Sequence, residues 1–158
     1  MKFHGPTHQV KGAWKYLYRA VDKDGKTVDF LLTAKRDKAA AMRFFDQAMG
    51  DNAAPEKVTM DKRGANKAAI DQIINDKGIP ILVRQVKYFN NIIEQDHRSI
   101  KRIIKPMLNF KSFRSAKNVL AGIELMYMIR KGQLLMAGCD GMSFADQFYT
   151  LAGPVRPQ

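Results

Sequence analysis

The hydrophobic pattern opens with a period of two. Trp14, Tyr16 and Tyr18 alternate with Lys15, Leu17 and Arg19, the spacing of a strand whose two faces differ. On this reading Trp14, Tyr16 and Tyr18 belong to the core side of a sheet. Asp22-Lys23-Asp24-Gly25 is a hairpin turn signal. Thr27 to Thr33 (TVDFLLT) is the return strand, and His8 to Val10 reads as the end of an earlier one. The period then lengthens. Asp37 can cap a helix running to about Met49, with Ala40, Ala41, Phe44, Phe45 and Ala48 as its apolar stripe.

Strands and helices alternate from there. Lys57 to Met60 predicts a short strand ending at Asp61. A helix opens at Ala65 or Asn66, runs to about Asp76 and closes at Gly78. Ile79 to Val86 is the next strand, broken near Pro80. Asn91 can cap a helix that Pro106 ends, and Ser112 or Ser115 starts a last long helix reaching Lys131-Gly132. Phe144 to Leu151 fits one further short helix. A β-meander followed by alternating helices and strands predicts a mixed α/β layer fold.

Composition narrows the partner. The chain has 158 residues, 46% of them hydrophobic, enough for one domain with a core of its own. Its formal charge is +12, which favours a polyanion, nucleic acid first. A merely soluble basic protein would show the same total. The charge is concentrated: from Arg84 to Lys131 there are 11 Lys and Arg against 3 acids, a local balance of +8. One cysteine, Cys139, excludes an internal disulfide and a cysteine-based zinc site. No apolar run approaches membrane-spanning length. The start, MKFHGPTHQ, lacks the apolar stretch of a signal peptide, so a cytoplasmic location is expected.

Two carboxylates stand out within this basic background. Asp61 falls at the end of a short apolar strand, where sites collect in open α/β sheets; a turn-forming Asp before Lys-Arg-Gly would look the same. Glu94 lies on the helix 92–105, and at 100° per residue it shares a face with His97, Arg98, Lys101 and Lys105. Ile93, Ile100, Ile103, Ile104 and Met107 take the other side. An ordinary Glu94–Arg98 salt bridge, or reciprocal capping with Asn91, is an equally physical reading of Glu94. Asp96 falls on the apolar side and reads as a hydrogen-bonding residue of the core.

The segments VTMDK, RQVKYFNNIIEQDHRSIKR, PMLNFKSFRSA and AGIELMYMIRKGQ, with KGAWKYLYRAVDKDGKTVDFLLTAKRDKAAAMRFF upstream, resemble the catalytic core of DDE transposases of bacterial insertion sequences, most closely insertion-sequence family six. The resemblance runs from about Val10 to Gln133. It implies a ribonuclease-H-like (integrase-type) α/β core at 1–133, a mixed sheet starting with a β-meander and flanked by helices, with 134–158 as a C-terminal extension. It further implies DNA strand cleavage and strand transfer by an Asp, Asp, Glu set that binds two Mg²⁺ or Mn²⁺ ions. Two hard cations roughly 4 Å apart stabilise both the attacking and the leaving oxygen, and carboxylates suit them. By position the second Asp is Asp61 and the Glu is Glu94, with 32 residues between them. Lys101 matches the basic residue kept near the cut phosphate, and Arg98, Arg102 and Lys105 extend that DNA-facing set.

The resemblance breaks at the first carboxylate. Aligned on Val10-Lys11-Gly12, His4 stands where the first Asp belongs, and no acid precedes Asp22. Imidazole is a poor partner for Mg²⁺. A helix-turn-helix segment found upstream in family members is also missing, so a truncated copy is expected. The implied partners are insertion-sequence ends and target DNA, in a homo-oligomer associated with the nucleoid. Two functions follow: a transposase core with impaired catalysis, or a non-catalytic basic remnant that binds nucleic acid or dimerises.

Overall fold

The computed structural model describes residues 1–50, 53–62, 64–87, 91–133 and 141–152. Six strands form one sheet: β1 (Lys2–His4), β2 (Thr7–Val10), β3 (Ala13–Val21), β4 (Thr27–Thr33), β5 (Lys57–Asp61) and β6 (Leu82–Val86). Among the described residues five helices accompany them: α1 (Lys38–Gly50), α2 (Gly64–Lys77), α3 (Asn91–Ile104), α4 (Phe113–Arg130) and α5 (Phe144–Ala152). A 3-10 turn at Lys105–Met107 carries Pro106 and follows α3, because proline cannot supply the amide an α-helix needs there. The single upstream strand read from sequence is two. Lys2 pairs with Val21, His4 with Arg19, Thr7 with Tyr16 and Val10 with Ala13. The register against β3 never slips, so β1 and β2 are collinear halves separated at Gly5-Pro6.

The other edge of β3 pairs with β4. Asp22 closes that turn by accepting from the amides of Asp24 and Lys26 at 2.8 and 2.9 Å, and Gly25 takes the positive φ. On the far side β1 runs parallel to β5, and β5 parallel to β6. The meander is antiparallel, and the strands that enter through helices are parallel, as crossover connections require.

Alternation along the strands selects the core face. Phe3, Tyr18, Val58 and Met60 point to the side where α1 and α2 supply Phe44, Phe45, Ala69, Ile70 and Ile73. Phe3 stacks on Tyr18 with centroids 5.6 Å apart and meets Phe45 at 4.7 Å. Each fully buried ring contributes about 2–3 kcal/mol by area. Burial pushes the Tyr18 phenol above its usual range. Asp37 caps α1 through its Oδ1 and the Ala40 amide, 2.8 Å, and Gly78 ends α2 at positive φ.

The chain divides into two compact units, Met1–Ala116 and Lys117–Gln158. In the second, α4 buries Leu120, Ile123, Glu124 and Ile129. Its end is closed by amides of Gly132 and Gln133 donating to Ile129 and Met128 carbonyls, 2.9 Å each. Ser143 and Asp146 cap α5 reciprocally. No helix among the described residues is long and apolar enough to cross a membrane.

Candidate active site

Asp61 is the last residue of β5. The alternation that buries Val58 and Met60 turns Thr59 and Asp61 to the opposite face. Its carboxylate is held on both oxygens. Arg36 Nη2 donates to Oδ2 at 3.0 Å, and Asn66 Nδ2 donates to Oδ1 at 3.0 Å. Asn66 is fully buried on the first turn of α2, a short step down the chain from the strand end. Arg36 comes from the β4–α1 connection. Its side chain is 10% exposed, against 18% for Asp61. The guanidinium carbon lies 5.7 Å from the centre of the Tyr16 ring, within cation–π range. It also lies against the chain break after β1, since a Cβ on Gly5 would stand 3.7 Å from Nη2. Arg36 Nη1 is buried with no hydrogen-bond partner among the described residues.

The sheet brings His4 to this place. Lys2 lies opposite Thr59 in the parallel ladder. β1 ends at His4, and its parallel neighbour β5 ends at Asp61. The position that the resemblance aligns with the first carboxylate is therefore on the strand next to Asp61, and it holds a histidine. The side chains of His4 and Glu94 lie outside the described residues, as do those of His97 and Asp96.

The basic set of α3 and the turn after it is on the surface: Arg98, Lys101, Arg102 and Lys105 are all exposed. Of the apolar side, Ile100 and Ile104 are buried, whereas Ile103 and Met107 are exposed. Next to Lys101 and Lys105 is a cleft of about 250 Å³ that also involves His8, Trp14 and Asn109. Trp14 is 57% exposed, not a core residue as its alternation with Tyr16 and Tyr18 suggests. It lies one pair from the turn of the β2–β3 hairpin, opposite Gln9, outside the cluster that α1 and α2 cover. His8 is buried, and desolvation, followed by the neighbouring Lys101 charge, lowers its pKa to about 4.

Sequence reasoning missed Arg36 and the role of Asn66. Arg36 stands among Lys35, Asp37 and Lys38, and a solvated charge run would look identical. Asn66 reads as a helix opener. The one available signal was its position five residues after a strand-terminal Asp.

A two-metal site needs several oxygen donors converging on one point. Among the described residues no group of three or more His, Cys, Asp or Glu is placed to hold an ion. The first-strand position that the resemblance implies carries nitrogen in place of oxygen, and both Asp61 oxygens are engaged by protein donors. Among the described side chains this donor set does not fit a pair of Mg²⁺ ions.

Comparison with known proteins agrees with the topology. A family model described as a DDE domain, of the IS240 transposase type, matches residues 7–133. The transposase for insertion sequence-like element IS431mec of Staphylococcus aureus is 39% identical over 124 residues, 78% of this chain and 54% of the relative. The transposase for insertion sequence element IS257 in transposon Tn4003, also from Staphylococcus aureus, matches at the same level. The chain thus spans about half the length of these relatives. Among solved structures, the HTLV-2 integrase catalytic core domain in complex with magnesium superposes with a TM-score of 0.54, covering 68% of this chain and 69% of that one at 16% identity. The simian T-cell lymphotropic virus intasome, in complex with PP2A regulatory subunit B56 gamma, gives 0.61 over 99% of this chain and 55% of that one at 13% identity. These likenesses assign the ribonuclease-H-like α/β fold. With that fold, the family match over 7–133 and relatives of this similarity, the chain belongs to the DDE-domain transposases of bacterial insertion sequences.

Proposed function

We propose that this chain is a DNA transposase core that engages DNA through the basic face of α3 but carries out metal-dependent strand transfer feebly or not at all. The observation that carries the reading is the histidine at the end of β1, the strand that runs parallel to the one ending at Asp61. Phosphodiester exchange builds negative charge on the attacking and leaving oxygens, and the family's resemblance implies two divalent ions, held by three carboxylates, to offset it. Here the strand next to Asp61 ends in a histidine, and a guanidinium sits at the Asp61 oxygen. By the resemblance Glu94, within α3, is the family's Glu. On this reading residues 1–133 are the catalytic core and 134–158 an extension.

Arg98, Lys101 and Arg102 of α3, with Lys105 of the turn that follows, are exposed and suit a phosphate backbone. Trp14, exposed beside Lys101 and Lys105, adds a stacking surface at the same place. Self-association is in keeping with the family, whose members work on paired ends; the HTLV-2 integrase core was itself solved in dimeric and trimeric forms. DNA binding would place the chain with the bacterial nucleoid in the cytoplasm.

The test pairs binding with joining. A labelled duplex should bind with an affinity that falls as salt rises, with a log–log slope of about −3 to −4 if four cations each displace a counterion. The same preparation should not join a 3′-hydroxyl oligonucleotide to a target duplex in Mg²⁺ or Mn²⁺. Binding that ignores salt would remove the DNA reading. Joining that is abolished by Asp61→Asn and by Glu94→Gln would restore an active transposase, the second reading, which the retention of both residues in their motifs favours.

A further inference from the structure

The contacts of Arg36 extend this reading of Asp61. We propose that Arg36 is the resident cation of the site: its guanidinium occupies the place at Asp61 that a divalent ion would take, so that the carboxylate is neutralised by the protein itself.

Three observations converge on it. Arg36 Nη2 sits 3.0 Å from Asp61 Oδ2, the spacing of a charge-assisted hydrogen bond. The guanidinium is enclosed, with a side chain 10% exposed, the Tyr16 ring 5.7 Å away and the Gly5 backbone alongside. The remaining Asp61 oxygen is fixed by Asn66, 3.0 Å away and fully buried, so the carboxylate cannot rotate to serve an ion and Arg36 together. An ion arriving at Asp61 must expel the guanidinium from this enclosure. A surface arginine would move aside at little cost; one stacked on an aromatic ring and nine-tenths buried would not.

Arg36 is thereby a positioning residue. It orients Asp61 and offsets the charge of its carboxylate. It also explains how Asp61 persists beside a first-strand position that lacks its acid. Restoring that acid alone would leave the place of the ion filled. The inference rests on Asp61 being the family's second carboxylate.

The experiment uses the full chain and Mn²⁺ alone, with free Mn²⁺ counted by electron paramagnetic resonance. The wild type should show no saturable site that Asp61→Asn removes. His4→Asp should create at most a weak one. Adding Arg36→Gln, which retains a neutral donor to Asp61, should tighten Mn²⁺ binding at least tenfold, and a further Asp61→Asn should abolish it. Arg36→Lys in the His4→Asp background should leave affinity within about twofold, because the cation is kept; this variant decides the matter if the glutamine does not fold. Equal affinity in His4→Asp with and without the Arg36 charge, or an Asp61-dependent site in the wild type, overturns the inference while leaving Asp61 a metal carboxylate. No Asp61-dependent site in any variant overturns both the inference and the assignment of Asp61.

Discussion

His8 should make the protein acid-labile by an amount that can be worked out. Its pKa falls from 6.5 to about 4, first because it is buried and then because Lys101 is near. The folded pKa is depressed, so between these values the unfolded chain binds more protons. Stability is fully present above about pH 6.5 and is lost as pH falls towards 4. With these two pKa values, linkage gives a loss of about 2 kcal/mol between pH 7 and pH 5, approaching about 3 kcal/mol below pH 4. The assay is urea unfolding at both pH values for the wild type and for His8→Gln, which cannot titrate. Other groups contribute to the wild-type slope, so the quantity of interest is the difference between the two proteins. His8→Gln should lose about 2 kcal/mol less than the wild type over this interval. Lys101→Gln should recover the smaller, electrostatic part. Identical pH dependence in the wild type and His8→Gln would refute the burial argument.

Further outcomes follow from the same contacts. Phe44→Ala empties the centre of the aromatic cluster with Phe3 and Tyr18 and should cost about 3–5 kcal/mol in urea unfolding. Asp61→Asn removes the counter-charge of the enclosed Arg36 and should destabilise by about 1–3 kcal/mol, a loss that Arg36→Gln in the same chain largely cancels in a double-mutant cycle. Lys101→Gln with Lys105→Gln should weaken duplex binding evenly across sequences and make the log–log salt slope shallower by about 2. The single tryptophan, Trp14, is 57% exposed, so its fluorescence should barely shift on unfolding yet respond to single-stranded DNA. A large red shift on unfolding would contradict that placement.

Most elements were readable from the sequence because each is encoded locally. Asp37, Ser112 and Gly78 act as the caps and stops their residue types suggest. The stripe of Ala40, Ala41, Phe44, Phe45 and Ala48 is buried as its spacing requires. What sequence could not convey depended on distant pairing. That β1 and β2 are halves of one strand emerges only from their shared register on β3. Trp14 follows the same alternation as Tyr18, and only the position of the covering helices separates the exposed ring from the buried one. The juxtaposition of His4 with Asp61 joins residues 57 positions apart, and Arg36 reaches Asp61 across 25. Periodicity holds no record of such pairs. The family motifs supplied the first, through the aligned position, and were silent on the second.

The central claim is that β1 carries a histidine, His4, where the resemblance implies the first carboxylate that strand transfer needs. Its most direct test is the rate of Mn²⁺-dependent joining of a 3′-hydroxyl oligonucleotide to duplex DNA by the wild-type chain, with Asp61→Asn as control. The account predicts DNA binding with no joining above that of Asp61→Asn. Joining by the wild type that disappears in Asp61→Asn would contradict it.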